Sequence, residues 1–436
     1  MRIRQSFFKG CFYLVLICKA LLCANEPDLV VHLKTTPSLL TLHLAPFVIE
    51  STNQNDLNAL YDVLCFDLNQ NGLTQITTNP NKADCNLTFT VKEKWMEGKL
   101  VLTHDQEEIS LQPRQISGYH ASDRRVMHLI ADEIHEKITG EKGIASTQIL
   151  YALSERRQKH EKTVWESEIW MADYDGENAH QLTHDKGYCI SPLFVPRNRF
   201  SPAHPILYVT YKQGQSKIYT YILESQKTQP LLQLRGNQFL PTLSRCGHHL
   251  AFVSDVGGRA DLFIQSFDPD KGVIGKPMQV YSFPYSVQAS PTFSPDGKKI
   301  AFVSDKDHKP RIYLIDTPTL GSRQRPKLTL LTKHYRETTS PAWSPDGTKL
   351  AYSAKIKGIR QIVMHDFQTG EDMELTTGKE HKSSPCWAPN SLHLIFNQTS
   401  PTSSELFLIN LKQKNMVQIT QGTGKKHYPM WGFFTN

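Results

Sequence analysis

Six prolines open the same short pattern in this chain, Pro192, Pro241, Pro291, Pro341, Pro385 and Pro429, at spacings of 49, 50, 50, 44 and 44 residues. A self-similar period of that length constrains the fold more than composition can, because it suits one four-stranded propeller blade. The clearest copies run Ser290-Pro291-Thr292-Phe293-Ser294-Pro295-Asp296-Gly297 and Ser340-Pro341-Ala342-Trp343-Ser344-Pro345-Asp346-Gly347. In Pro-Asp-Gly, proline presets φ, Asp bonds back to the backbone and Gly accepts positive φ, so each copy reads as a strand ending in a tight turn. A second strand follows as two aliphatic or small residues and an aromatic, in Ile149-Leu150-Tyr151, Ile206-Leu207-Tyr208, Leu250-Ala251-Phe252, Ile300-Ala301-Phe302, Leu350-Ala351-Tyr352 and Leu394-Ile395-Phe396. A third strand and an outer fourth, as in Glu168-Ile169-Trp170-Met171 and Gln181-Leu182-Thr183, complete the unit.

Two residues after each proline stands Phe194, Leu243, Phe293, Trp343, Trp387 or Trp431, and the residue between is slimmer at Thr242, Thr292, Ala342 and Cys386. Alternate strand residues face opposite ways, so each blade offers a bulky face to one neighbour and a slim one to the other. Such a sheet must be stacked. At the ends of the array, Pro429-Met430-Trp431 lacks a second strand and Ile149-Leu150-Tyr151 lacks a first. Sharing one blade between them closes a ring and removes open edges. The expected fold is therefore mainly β with a smaller α/β domain: a six-bladed β-propeller over residues 147–436, closed by a C-terminal strand and preceded by an N-terminal α/β domain over residues 25–143.

Residues 1–24 read as a cleaved signal peptide: Arg2, Arg4 and Lys9, an apolar stretch from Cys11 to Cys23, and Ala24. The whole chain has 49 Lys+Arg against 42 Asp+Glu. Removing the four cations of the signal leaves a net charge near neutrality, which is no footprint for nucleic acid. In the α/β domain, Leu29–Leu33 and Leu40–Phe47 read as strands and Asn55–Asn69 as a helix. A second helix is expected from about Asp123 to Thr139, capped by Ser122, ended by Gly140, and facing inward with Val126, Leu129, Ile130, Ile134 and Ile138.

Enzyme signatures are missing: the sequence holds no GxSxG, no P-loop and no GxGxxG, and Thr139 stands where HExxH would need its second histidine. Asp173-Tyr174-Asp175-Gly176 reads as a hairpin turn in preference to a calcium loop. Five cysteines follow the signal, and a Cys65–Cys85 bridge is compatible with their spacing. His184, His334, His381 and His427 precede first strands at irregular offsets, which favours polar loop residues over a metal cluster; no cofactor or metal is expected. The same loops form the best interaction surface, with Arg235, Gly236, Asn237, Gln238, Tyr285, Gln288, Arg336, Glu337, Thr339, Lys379, Lys382, Lys425, Lys426 and His427. A long loop over Ser154–Glu166, carrying Arg156, Arg157, Lys159 and Lys162, is expected on the same face. Together these would steer an acidic partner. Most aromatic residues are assigned to blade interfaces. The competing reading is a propeller that binds or processes a small ligand or glycan in its central channel.

The Ser-Pro-x-aromatic-Ser-Pro-Asp-Gly repeats and the export signal, with the join Ala131-Asp132-Glu133-Ile134-His135-Glu136-Lys137-Ile138-Thr139-Gly140-Glu141-Lys142-Gly143 running into Ile149-Leu150-Tyr151, resemble the TolB family, periplasmic components of the Tol–Pal envelope system. The resemblance covers about residues 29–431. One repeat departs from the pattern, with Ser244-Arg245-Cys246-Gly247 in place of Ser-Pro-Asp-Gly. The resemblance implies a non-enzymatic, monomeric periplasmic adaptor whose propeller mouth binds the peptidoglycan-associated lipoprotein Pal. Family positions matched by offset fall on Asn237, Leu240 and Ala289. It also implies that the N-terminal segment, here Asp28, Leu29, Val30 and Val31, engages the inner-membrane protein TolA, and that the system supports envelope integrity and constriction at division.

Overall fold

The computed structural model describes residues 39–49, 55–159, 162–196, 204–319 and 326–433. The expected signal peptide, the strand Leu29–Leu33 and the segment Asp28–Val31 lie outside them. Among the described residues, no helix is long and apolar enough to cross a membrane.

The α/β domain is built on a sheet ordered Thr74–Ile76, Leu40–Leu44, Cys85–Lys92, Trp95–Leu102, Glu108–Ser110. Cys85–Lys92 alternates as its sequence dictates, turning Cys85, Leu87, Phe89 and Val91 into the core. Helices α1 (Asn55–Gln70) and α2 (His120–Thr139) cover it, and Leu60, Leu64 and Leu68 share one apolar core with Met127, Ile130 and Ile134. Two expectations need correction. Leu40–Phe47 is interrupted, giving strands Leu40–Leu44 and Val48–Ile49. Helix α2 begins three residues early at His120, and Ser122 is not its cap. Tyr119 holds the N-cap position with no side-chain bond, while the Asp123 carboxylate folds back to accept from Ser117 N (2.7 Å), Ser117 Oγ (2.8 Å) and Gly118 N (2.9 Å). At the other end Gly140 takes φ 74°, and its N–H caps Glu136 O.

The rest is a β-propeller. Four separate four-stranded sheets span Cys189–Pro230, Gln238–Tyr281, Gln288–Leu330 and Thr338–Glu374. An eight-stranded sheet joins two further four-strand groups through one parallel pair, Ser404↔Lys425. One group is His381–Trp387, His393–Thr399, Ser404–Asn410 and Met416–Gln418. The other takes Lys425–Trp431 from the C-terminal side and Gln148–Lys159, Lys162–Asp173 and His180–Gln181 from the N-terminal side. Trp431 pairs with Ile149 and Met430 with Leu150, which is the junction expected from the repeat ends.

Each bulky residue two after a repeat proline packs on the preceding sheet. Trp387 joins Ala351, Ile362 and Met364, and Phe293 joins Ala251, Leu262 and Ile264. Trp387 also donates from Nε1 to Ala342 O of the neighbouring first strand at 3.0 Å. The residue before each proline adopts positive φ: Ser191 52°, Leu240 48°, Ser290 46°, Ser340 52°, Ser384 53° and Tyr428 53°. All six first strands shift register at that point, so each carries a bulge there. Positive φ at a residue with a Cβ costs on the order of 1–3 kcal/mol, a cost the surrounding packing must offset at every repeat.

The α/β domain and the ring share a core, since Leu64, Met127 and Ile134 belong to the same apolar cluster as Tyr174, Ile395, Leu408 and Trp431. Gly143 explains part of the join, because a Cβ there would lie 2.2 Å from the Asp132 carboxylate. That carboxylate instead accepts from Ala145 N (2.7 Å) and Ser146 N (2.9 Å), fixing the connector's direction.

Candidate functional site

The start of each first strand pairs with the end of the second, as in Gln238↔Ser254, Gln288↔Ser304 and Lys425↔Ser154. The incoming loops and the second-to-third connections therefore gather at one mouth of the channel. The expected long loop over Ser154–Glu166 is instead ladder. Strands Gln148–Lys159 and Lys162–Asp173 pair continuously, with Glu155 opposite Glu166 and Arg156 opposite Trp165, so the hairpin continues past the sheet toward this mouth. Two cations approach Trp165: Arg156 of the hairpin lies 5.0 Å and Lys425 of the C-terminal strand 5.2 Å from the indole centroid.

Several long polar side chains tie the incoming loops from beneath. Lys217 Nζ donates to Leu234 O (2.7 Å) and Gly236 O (2.6 Å), and Arg311 donates to Thr332 O (2.7 Å). Lys382 Nζ donates to Thr377 O (3.0 Å) and Glu380 O (3.2 Å). Lys426 Nζ donates to Thr423 O and pairs with Glu405, both at 3.0 Å. Lys382 and Lys426, expected to contribute to a positive surface, are both buried, and burial lowers the pKa of Lys382. They act on loop carbonyls and present no charge to solvent.

The other expected mouth residues divide in the same way. Arg235 and Arg336 are exposed. Gln288 is buried, with Nε2 donating to Ser286 Oγ at 2.9 Å, so it is not offered to a partner. Asn237 is tied to two neighbouring blades: its Oδ1 accepts from Ser216 N (3.1 Å) of the preceding one and its Nδ2 donates to Asp255 Oδ2 (2.6 Å) of its own. Leu240 and Ala289 are half-buried on first strands, and Leu240 lines the channel. Thr339 Oγ1 accepts from Arg360 at 3.0 Å. His427 is half-buried, and burial, aided by Lys425, pushes its pKa down to about 4.

Aromatic residues at this mouth are more exposed than blade-interface packing would leave them, and of these only Tyr285 is expected from the sequence. Phe283, Tyr285, Val287, Tyr188, Tyr428 and Trp165 are all exposed, Tyr285 completely. They sit in loops entering first strands, at a bulge, or on the projecting hairpin. The run Phe283-Pro284-Tyr285-Ser286-Val287, with no partner strand pattern of its own, was the available signal. Exposed aromatics beside arginine make the composition of a protein-binding hot spot.

A second cluster lies where the α/β domain meets the ring. Asp67 of α1 accepts from Tyr174 OH on one oxygen and pairs with His128 Nδ1 of α2 on the other, both at 2.7 Å. His128 Nε2 faces Asp175 at 3.7 Å and Asp173 at 3.8 Å, and Arg124 pairs with Asp175. Burial alone would lower the His128 pKa, but Asp67, Asp175 and Asp173 together raise it, favouring an imidazolium. The turn Asp173-Tyr174-Asp175-Gly176 is a hairpin turn, closed by Gly176 N to Asp173 O at 2.9 Å, whose carboxylates serve this joint. Asp67, His128 and Asp175 are also the one grouping among the described residues close enough to share a metal ion. The Arg124 guanidinium already neutralises its Asp175 edge. The mouth histidines make no such grouping. Cys65 and Cys85 are free thiols, so the bridge compatible with their spacing is absent; burial pushes the Cys85 pKa up to about 11.

A family model described as the TolB beta propeller domain matches residues 135–435. The TolB homolog of Protochlamydia amoebophila (strain UWE25) is 43% identical over 61% of this chain and 62% of its own length, so the match spans under two thirds of that relative. The TolB homolog of Chlamydia pneumoniae is 37% identical over 85% of each chain. The crystal structure of TolB from Acinetobacter baumannii superposes with a TM-score of 0.72 at 19% identity, covering 90% of this chain and 96% of that one. At that identity, the likeness speaks to the fold.

Proposed function

This chain belongs to the TolB family, and from that premise we propose that it is a non-enzymatic adaptor of a Tol–Pal-like envelope system. Its ring is six blades when the two groups joined at Ser404↔Lys425 are counted separately, closed by Lys425–Trp431. The partner at the mouth is a Pal-like peptidoglycan-associated lipoprotein. The observation that carries this reading is the mouth itself, where exposed Tyr285, Phe283, Tyr428 and Trp165 stand with Arg235 and Arg336. Residues 1–24 direct the chain to the periplasm and are removed. Asp28–Val31 then meet a TolA-like inner-membrane protein, and the assembly supports envelope integrity and constriction at division.

The test is capture of the soluble peptidoglycan-binding domain of a Pal-like protein from the same organism by the purified full chain. Tyr285→Ala and Arg336→Glu should each weaken capture by about tenfold or more, the scale of one hot-spot contact. Lys382→Gln, which alters a buried loop tie, should act through stability and not through the contact. Capture that is absent, or indifferent to Tyr285 and Arg336 alike, sinks the proposal.

A further inference from the structure

The departing repeat has a structural outcome at the opposite end of the channel. Below the bulges the first strands enclose a cavity of about 320 Å³ whose wall includes all six repeat prolines. Its far rim is formed by the fourth residue after each repeat proline. Five of these positions are apolar: Pro196, Pro295, Pro345, Pro389 and Phe433. The sixth is Arg245. The turn that carries it keeps the geometry of the others without the aspartate: Ser244 N bonds His249 O at 2.9 Å, and Gly247 takes φ 74°. Local folding therefore does not call for an arginine. Its guanidinium donates to Pro345 O at 2.5 Å, on the second sheet along. Among the described residues it has no carboxylate partner, and it is the one charged side chain in the cavity wall.

A cavity walled by prolines and aromatic rings, with scattered serine and threonine hydroxyls and one charged group at its rim, has the build of a small-molecule site in which that charge sets orientation. A guanidinium presents a planar fork of donors that matches carboxylate and phosphate oxygens. We propose that this end of the channel binds a small amphiphile with one anionic head and an apolar tail, the tail against the prolines and the head on Arg245. The head site at Arg245 lies at the opposite end from the mouth proposed for protein capture, although Leu240 and Tyr428 belong to the cavity wall as well as to the mouth.

The experiment is calorimetric titration of the full chain with octanoate, octyl phosphate, octanol and octylammonium, tails short enough to stay monomeric. Binding at one site per chain is expected for octanoate, octyl phosphate or both, and the comparison of those two identifies the head. Octanol should bind roughly tenfold more weakly or worse, the scale of one charge-assisted contact. Arg245→Gln should abolish the preference for the anion, and Arg245→Lys should retain part of it. Arg245→Pro, which restores the other repeats' residue, repeats the loss on a turn of known geometry should the glutamine variant fold poorly. Arg336→Glu at the mouth should leave octanoate binding unchanged. No saturable binding, equal affinity for octanoate and octylammonium, or a preference that survives both Arg245→Gln and Arg245→Pro overturns the proposal; in the last case Arg245 is only a clasp across the rim.

Discussion

At the residue scale, His128 faces three carboxylates, one of them also paired with a guanidinium, and the set comes from three different stretches of chain. Asp67 comes from α1, Arg124 from α2, and Asp173 and Asp175 from a propeller turn. Removing one member of a buried charge set strands the others, at a cost of about 3–5 kcal/mol. His128→Phe should therefore lower unfolding stability by that amount in chemical denaturation; a loss within 1 kcal/mol would mean the carboxylates are relieved in another way. None of this was legible from α2 alone. Its apolar spacing correctly placed Ile130, Ile134 and Ile138 inward, but Arg124 and His128 look like solvent residues until their partners, some fifty to sixty residues away, are brought beside them. Lys382 misled for the opposite reason: a lysine in a polar loop reads as surface charge, and here the loop folds over it.

At the scale of elements, the repeat proved highly legible, because it records a packing requirement that every blade must meet. Trp387 shows the requirement plainly: it is buried against the preceding sheet and bonded to Ala342 O. Trp387→Ala should cost about 3–5 kcal/mol, as for other large-to-small core changes. A melting curve that splits into two transitions would localise the loss to one blade interface. The bulges were invisible, since proline restricts the preceding residue against the right-handed α region yet says nothing of the left-handed one. The projecting hairpin was missed because a ladder beyond the sheet has no core to impose alternation. Arg156, Arg157 and Gln158 read as loop, although Trp165 on the partner strand had the β-propensity of a strand.

For the whole molecule, the joint between the two domains sets a pH dependence. His128 has a raised pKa, so its contribution is complete below the ordinary histidine value and declines as pH climbs through the raised one. His135 and His393 behave oppositely. Burial pushes each down to about 4, and His393 donates to Gln70 O of α1 at 2.6 Å. They stabilise fully above the ordinary histidine value and lose that contribution as pH falls from about 6.5 toward 4. The melting temperature should therefore peak near pH 6.5 and fall on both sides. His393→Gln should flatten the acid limb and leave the alkaline limb in place; an acid limb unchanged in that variant would assign it to other groups.

The pairing of Trp431 with Ile149 also has a meaning in time. A chain emerging from its N-terminus exposes the edge of Gln148–Lys159 early, and the strand that covers it arrives after nearly three hundred further residues have appeared. Through that interval the nascent protein has no means of closing on itself. Its last strand acts as a completion signal: a molecule truncated before residue 425 would hold every other blade strand and still display an open edge, a ready mark for proteases or chaperones to tell finished copies from unfinished ones.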